Sequence, residues 1–413
     1  MTRARFGLLG EHLTHSYSPL IHEYLGDYTY PLFEKAPEEV ADFVKSGPFD
    51  GLNVTIPYKK TVVPLCDRIS DEARAIGSVN TLLRWPDGTL SGDNTDFYGF
   101  SMMVHACGVD PKGKKALVLG SGGSSLTVRA VLKSMGASPI VVISRSGPDN
   151  YENLDKHADA RLIVNTTPVG MYPNVGVAPV DLTMFPRCEA VLDLIYNPAW
   201  TDLLLQAKAL GIPCENGLTM LVAQAKRATE LFLEKPLDDE LIAYVRRQVN
   251  KRSMNLTLIG MPGCGKTSIG KVMAEHLNRP FVDLDAKIVE AAGKPIADIF
   301  AQDGESVFRQ IEHRVLTETA KQSGLVIATG GGVVTRPENR AAIARNSVCV
   351  YLQRDIETLS TKNRPVSQRD GVQKLYEQRR AMYETWNDFT VRCLDCAPNT
   401  AKALLKAWND YFA

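Results

Sequence analysis

Leu256-Thr257-Leu258-Ile259-Gly260-Met261-Pro262-Gly263-Cys264-Gly265-Lys266-Thr267 decides the fold of the C-terminal part of this chain. Its first four residues read as a short buried strand, and the run SIGKVMAEHL (268–277) that follows reads as a helix. Between them stands Gly-x4-Gly-Lys-Thr, the spacing of a loop whose backbone amides cradle phosphates. In that pattern Gly263 and Gly265 give the backbone its close approach, Lys266 reaches the β- and γ-phosphates, and the Thr267 hydroxyl ligates Mg2+. A glycine turn with an incidental lysine would not also need the preceding strand and the following helix.

The same order of strand, glycine turn and helix occurs once more, at ALVLGSGGSSLTVRAVL (116–132). The two loops differ in spacing, so they are not an internal duplication. Further apolar runs at 139–144, 161–166, 190–196, 325–330 and 348–352 alternate with helical patterns, which predicts parallel sheets covered on both faces. We expect an α/β chain with two nucleotide-type units, the join lying in ELIAYVRRQVNKRSMN (240–255), where an amphipathic helix gives way to a basic, polar linker. The chain has 413 residues, with 47 Lys and Arg balanced by 47 Asp and Glu. Zero net charge argues against nucleic acid or an anionic membrane as partner. No apolar run has the length of a membrane helix, and the eight scattered cysteines read as thiols, which makes a cytoplasmic protein the expectation.

In 116–132, Gly120, Gly122 and Gly123 let a pyrophosphate approach the start of a helix, as in dinucleotide-binding folds. The next strand leads to Arg145, at the place where NAD enzymes carry an acidic residue; an arginine there suits the 2′-phosphate of NADP, and a solvated loop residue would look the same. Upstream, polar side chains crowd segments that otherwise read as buried: HSYSP (15–19), GLNVTIPYK (51–59), IGSVNT (76–81) and GDNTDFYG (92–99). Lys59 and Asp96 form an acid/base candidate pair, with Asn53, Thr55 and Asn80 able to fix hydroxyls of a small polar substrate. Taken singly, each such Asn or Asp would more often cap a helix or shape a turn.

Residues 1 to about 245 resemble shikimate dehydrogenase. The resemblance is carried by Ser16-Tyr17-Ser18-Pro19, Asn53-Val54-Thr55-x-Pro57-x-Lys59, Asn80-Thr81, Asn94-Thr95-Asp96, the glycine turn, Asn165-Thr166-Thr167-Pro168-Val169-Gly170-Met171, Asp193-x-x-Tyr196-x-Pro198, and Asn216-Gly217-Leu218 with Met220 and Gln224. It implies that Ser16 and Ser18 hold a substrate carboxylate and that Thr55, Asn80, Asp96 and Gln224 hold ring hydroxyls. Proton transfer then falls to Lys59 with Asp96. Glu23 stands where the family has Asn, and Ser144-Arg145-Ser146 lacks a second nearby arginine.

In the C-terminal part, Asp283-Leu284-Asp285 ends the predicted strand RPFVDLD (279–285), and period-2 alternation would send both carboxylates to one side. Gly330, Gly331 and Gly332 end another strand, while Arg309 and Arg379 are candidates for gripping a carboxylate. Residues 254–413 resemble shikimate kinase through the phosphate loop, this Asp pair, Phe308-Arg309-x-x-Glu312, the three glycines, Arg364-Pro365 and Arg379-x-x-x-Tyr383. The resemblance implies ATP as donor, Asp283 with Thr267 at Mg2+, and Asp285 at the accepting 3-hydroxyl. It implies also that Arg309, Gly331, Gly332 and Arg379 hold the acid, and that Arg364 closes over the nucleotide from a lid that here lacks the family's early arginine.

The expectation is therefore a bifunctional enzyme. A two-lobed dehydrogenase (substrate lobe 1–100 with 217–245, NADP lobe 101–216, together 1–250) reduces 3-dehydroshikimate with NADPH, and a phosphate-loop kinase (254–413) phosphorylates the product. A metabolite-sensing regulator built from the same domains is the alternative. It predicts loss of Lys59, Asp96, Lys266 or Asp285, and all four are present. Quinate, or a nucleoside monophosphate for the kinase, would be the alternative substrates.

Overall fold

In a computed structural model, residues 5–13, 16–359 and 371–413 are described. Contacts divide the chain into two units, Met1–Tyr196 with Thr201–Val249, and Asn197–Trp200 with Asn250–Ala413. Among the described residues no helix is long and apolar enough to cross a membrane. The stretch expected as a linker is helical from Glu240 to Ser253, with one residue before the next strand. Its Lys and Arg side chains are good helix formers, and Lys251 and Arg252 sit in the last turn, where the helix dipole favours cations.

The first unit has two sheets. Strands β1 (Phe6–Gly10), β2 (Leu32–Glu34), β3 (Gly51–Val54), β4 (Arg68–Ile69), β5 (Thr81–Arg84) and β6 (Leu90–Asp93) lie in the order β2-β1-β3-β5-β6-β4. The first three are parallel, but β5 runs antiparallel to both β3 and β6. The hairpin between β5 and β6 turns at Trp85-Pro86-Asp87-Gly88, with Gly88 at φ +87° and the Asp87 carboxylate accepting the Thr89 N–H at 2.9 Å. Reversal has a consequence for position: β5 begins beside the end of β3, and β6 ends there too, with Asn53 opposite Thr81 and Thr81 opposite Asp93. Thr55, Asn80 and Asp96, each just beyond a strand, are thereby gathered on one sheet edge.

Helix Asp96–Ala106 packs against helix Leu218–Leu233, the long element that returns to this lobe. Their approach requires Gly99, where a Cβ would lie 2.7 Å from the Met220 carbonyl. The second sheet is wholly parallel: β7 (Ala116–Leu119), β8 (Ile140–Ile143), β9 (Leu162–Asn165), β10 (Ala190–Asp193) and β11 (Cys214–Asn216), in the order β11-β10-β9-β7-β8. Chain direction of travel across the sheet reverses at β7, so the crevice beyond its end is the switch point where such sheets bind ligands.

The second unit is a parallel sheet of β12 (Asn255–Ile259), β13 (Phe281–Asp283), β14 (Val326–Ala328), β15 (Ser347–Gln353) and β16 (Phe389–Arg392), ordered β13-β14-β12-β15-β16. Leu256, Leu258, Val326, Ile327, Val348 and Val350 are fully buried within it. Such unbroken apolar runs are what helices on both faces demand.

Under the first sheet lies a buried imidazole. The His22 ring stacks on Tyr30 at 3.7 Å, and its Nδ1 is 2.6 Å from the Tyr28 hydroxyl. Thr229 gives its proton to the Ala225 carbonyl, so Tyr28 donates to Thr229 and the His22 Nδ1–H donates to Tyr28. Burial depresses the His22 pKa from 6.5 to about 3. Between those values the unfolded chain takes up a proton that the native state refuses, so stability falls as the pH falls through the window, by about 1.4 kcal/mol per pH unit from this group. In His22→Gln that part of the slope disappears. Urea unfolding at several pH values between 4 and 6.5 reads it, and parallel slopes for the variant and the parent chain would refute it.

Candidate active sites

Ser16, Ser18, Thr55, Lys59, Asn80, Asp96 and Gln224 all line one cleft of about 500 Å³ in the first unit. Lys59 Nζ lies 2.5 Å from Asp96 Oδ2, with the lysine side chain 31% and the carboxylate 15% exposed. The pair is thus partly exposed, and both residues line the cleft. Ser18 opens helix Ser18–Leu25, and its N–H is held by the Ser16 hydroxyl at 3.2 Å. Two hydroxyls beside a helix N-terminus suit a carboxylate.

Hydrogen-bond accounting shows which amide atoms remain for a ligand. Asn80 Oδ1 accepts from the Thr95 N–H (2.8 Å) and the Thr81 hydroxyl (3.1 Å), and its Nδ2 gives one hydrogen to Thr95 Oγ1. Gln224 Nε2 gives one hydrogen to the Leu221 carbonyl, and its Oε1 receives the Thr95 hydroxyl at 3.4 Å. Each amide keeps one N–H, and both side chains line the cleft.

The glycine turn runs from β7 into helix Gly123–Ser134, capped at Gly122. Gly120, at φ +102°, has Thr166 Oγ1 and Thr167 Cγ2 each 2.9 Å from where a Cβ would stand. Gly122 and Gly123 face open space, which leaves room for a pyrophosphate. Arg145 is exposed just beyond β8, near Tyr151. The cleft takes in Ser124, but not Gly120, Gly122, Gly123 or Arg145. Tyr196, Leu194 and Leu13 line it without having been singled out from sequence, although Tyr196 belongs to a quoted motif. Its ring leans on Tyr17 at 5.4 Å, beside the two serines.

In the second unit Gly260, Gly263 and Gly265 have φ of +145°, +86° and +104°, conformations that glycine tolerates. Lys266 is buried, its Nζ donating to the Gly260 (2.8 Å) and Met261 (3.0 Å) carbonyls. Thr267 donates to Asp283 Oδ2 at 2.7 Å. The alternation expected for Asp283 and Asp285 does not hold. The strand ends at Asp283, whose Oδ1 caps helix Leu284–Ala292 by accepting the Asp285 and Ala286 N–H groups. Helical turning therefore separates the carboxylates: Asp283 stays with Thr267, and Asp285 comes within 3.0 Å of the Cβ direction of Gly330. A hydroxyl and one carboxylate fit Mg2+, which keeps waters and substrate phosphates as its other ligands.

Gly331 lies against Pro262 of the phosphate loop, so close that a side chain would force that loop to move, and Gly332 against the Arg309 guanidinium, which a side chain would have to displace. Arg309, partly buried, bonds Glu312 at 2.8 Å and Glu305 at 3.3 Å; Arg379, which is buried, reaches the Gly331 carbonyl at 3.3 Å, which the Tyr383 hydroxyl bonds as well. Among the described residues, the buried Nε of each arginine and Oε1 of Glu312 have no hydrogen-bond partner. Glu312, fully buried, has its carboxyl pushed up by burial, with Arg309 opposing the shift. Two guanidinium groups placed against Gly331 and Gly332 carry the paired donors that a carboxylate takes. Arg364 lies outside the described residues.

The first unit has the architecture of an α/β oxidoreductase, and the second that of a phosphate-loop phosphotransferase. Residues 8–82 match the family model for the shikimate dehydrogenase substrate binding domain, and residues 262–407 match that for shikimate kinase. A shikimate dehydrogenase (NADP(+)) of Oleidesulfovibrio alaskensis is 42% identical over 57% of this chain and 91% of that enzyme. Among solved structures, a chorismate mutase/shikimate 5-dehydrogenase fusion from Clostridium acetobutylicum is 36% identical with a TM-score of 0.58, covering 61% of this chain and 98% of that one. A shikimate 5-dehydrogenase from Thermus thermophilus, in complex with NADP(H) and shikimate, is 33% identical with a TM-score of 0.54, covering 60% and 99%. The chain belongs to the shikimate dehydrogenase family and carries a shikimate kinase domain after it.

Gly332→Ala tests the part of Arg309 in acid binding. The added methyl group must displace the Arg309 guanidinium, so the kinase KM for shikimate rises by about tenfold or more, the scale of one charge-assisted hydrogen bond. Dehydrogenase turnover of the same preparation stays as it was. An unchanged kinase KM would remove Arg309 from acid binding.

Proposed function

We propose that the first unit, residues 1–250, reduces 3-dehydroshikimate to shikimate with NADPH, and that the second, 254–413, phosphorylates shikimate at its 3-hydroxyl with ATP and Mg2+. The observation that carries the first half is an ammonium–carboxylate pair at 2.5 Å in a cleft that also holds two serines at a helix N-terminus. Ser16 and Ser18 hold the carboxylate, while Thr55, Asn80 and Gln224 meet the ring oxygens. NADPH, when bound along Gly120, Gly122 and Gly123 with Arg145 at its 2′-phosphate, supplies the hydride to the ketone carbon. The Lys59 ammonium gives a proton to the oxygen that gains negative charge, and Asp96 keeps that ammonium aimed until the transfer. The reverse reaction uses neutral Lys59 as base.

For the kinase, support comes from the separation of Asp283 from Asp285 and from the two guanidinium groups beside Gly331 and Gly332. Arg309, Gly331, Gly332 and Arg379 hold the acid, with Glu312 fixing Arg309. Asp285 orients the 3-hydroxyl as it attacks. Thr267 and Asp283 hold Mg2+, and Lys266 leaves its loop carbonyls for the phosphates of ATP. A cytoplasmic location agrees with eight cysteines that are all free thiols.

Supplied with 3-dehydroshikimate, NADPH, ATP and Mg2+, the parent chain consumes NADPH and releases ADP. Lys59→Ala lowers dehydrogenase kcat by about 10²- to 10⁴-fold, the usual worth of a general acid, and leaves phosphorylation of added shikimate intact. Lys266→Ala has the converse effect. Loss of both activities in either variant, each assayed with its own substrate, would contradict two separate sites.

A further inference from the structure

Asp193, at the end of β10, is a fully buried carboxylate with uncharged partners. Its Oδ1 accepts from Asn165 Nδ2 (2.9 Å) and the Ile195 N–H (3.1 Å), and its Oδ2 from the Thr201 hydroxyl (2.6 Å). Asn165 and Thr201 are fully buried as well. Burial pushes the carboxyl up to about 6, against the pull of these three donors. A carboxylate placed so works against stability, which directs attention to what its bonds connect.

They connect two walls. On one side, Asn165 Nδ2 donates to Asp193 and, at 3.5 Å, to the Val169 carbonyl, so that Oδ1 faces the Thr167 N–H (3.0 Å) and hydroxyl (2.7 Å). Thr167 in turn takes the Val169 N–H, and Thr166 bonds the Leu119 carbonyl at the end of β7. This threonine pair is what packs on Gly120, the first glycine of the dinucleotide turn. On the other side, the bond to the Ile195 N–H fixes the chain between Leu194 and Tyr196, both of which line the substrate cleft. Gly217, a further lining residue, gives its N–H to the Ile195 carbonyl.

We propose that Asp193 is a positioning residue for hydride transfer, holding the dinucleotide turn at Gly120 and the Leu194–Tyr196 wall of the substrate cleft at a fixed spacing. It touches neither ligand and acts through Asn165, Thr167 and Ile195. The inference rests on the dehydrogenase reading of the cleft and deepens it: ligands bind through other groups, so loss of Asp193 alters their mutual placement more than their affinity. Small misplacements of reacting atoms are costly to rate, about a hundredfold for a shift on the order of 1 Å.

The test compares Asp193→Asn and Thr167→Val with the parent chain in oxidation of shikimate by NADP+, using the kinase activity of each preparation as its reference for intact protein. Asp193→Asn should lower kcat by about tenfold to a hundredfold while KM for shikimate and for NADP+ moves by less than about threefold. The primary deuterium effect, read with shikimate labelled at the carbon that gives up hydride, should increase. Thr167→Val, at the far end of the same chain of bonds, should give a smaller change of the same kind, and it decides the matter alone if Asp193→Asn fails to fold. Parent-like kcat and isotope effect, or a loss confined to KM, would overturn the assignment. An inactive parent chain with a working kinase would instead overturn the dehydrogenase reading, and this inference with it.

Discussion

A 2.5 Å contact between Lys59 and Asp96 sets what the first unit can do. Each charge of the pair gives the other a fixed partner that keeps it aimed into the cleft. Lys59 follows β3 and Asp96 follows β6, two strands that point the same way because β5 between them runs antiparallel to both. β5 starts at the edge where β3 ends and runs away from it, and β6 returns to that edge and delivers Asp96 there. Around that pair the neutral amides of Asn80 and Gln224 are locked by Thr81 and Thr95, so their free N–H groups cannot rotate away.

The second unit meets the same requirement with different means. Its charges sit on long side chains, and backbone without side chains makes room for them: Gly332 against Arg309, Gly331 against Pro262, Gly330 beside Asp285 and Glu312. Arg309 would be a costly burial unless paired, and Glu312 and Glu305 neutralise it in part while leaving its Nε uncommitted. Partial pairing is the condition shared by both pockets. A fully satisfied network would hold the fold and bind nothing.

How far these arrangements could be read from sequence follows from the range of the interactions. Strand, glycine loop and helix are local, and both nucleotide-type loops lie where their patterns put them, Gly260 to Gly265 and Gly120 to Gly123. Polar residues in apolar surroundings at 51–59, 76–81 and 92–99 marked a cleft without giving its shape, since that shape depends on strand direction, and the Trp85-Pro86-Asp87-Gly88 turn that reverses the chain went unread. Asp283 and Asp285 were assigned one strand geometry because RPFVDLD has a strand's composition. The capping bonds of Asp283 begin a helix one residue too early for that, a competition between side chain and ladder that composition does not reveal. Glu312 and Tyr196 were visible only as members of motifs, their work being contact with residues more than one element away.

On the proposed reading, one polyol acid is held twice by this chain, and the two grips differ in a way that suits the two reactions. Hydride transfer changes charge on the substrate at the ketone oxygen, and a single mobile proton donor, Lys59, is placed to answer it; the acid's carboxylate needs only orientation, which serine hydroxyls and a helix N-terminus give without adding a second strong cation. A nearby guanidinium would compete with Asp96 for influence over the ammonium. Phosphoryl transfer brings a highly charged triphosphate beside an acid of the same sign, so that binding the two together requires positive charge on both. Arg309 and Arg379 serve the acid, while Lys266 and the Mg2+ held by Thr267 and Asp283 serve the phosphates. Exchange of these grips would set guanidinium groups against the Lys59 ammonium as like charges, and would leave the second unit with two anions facing each other across a glycine loop.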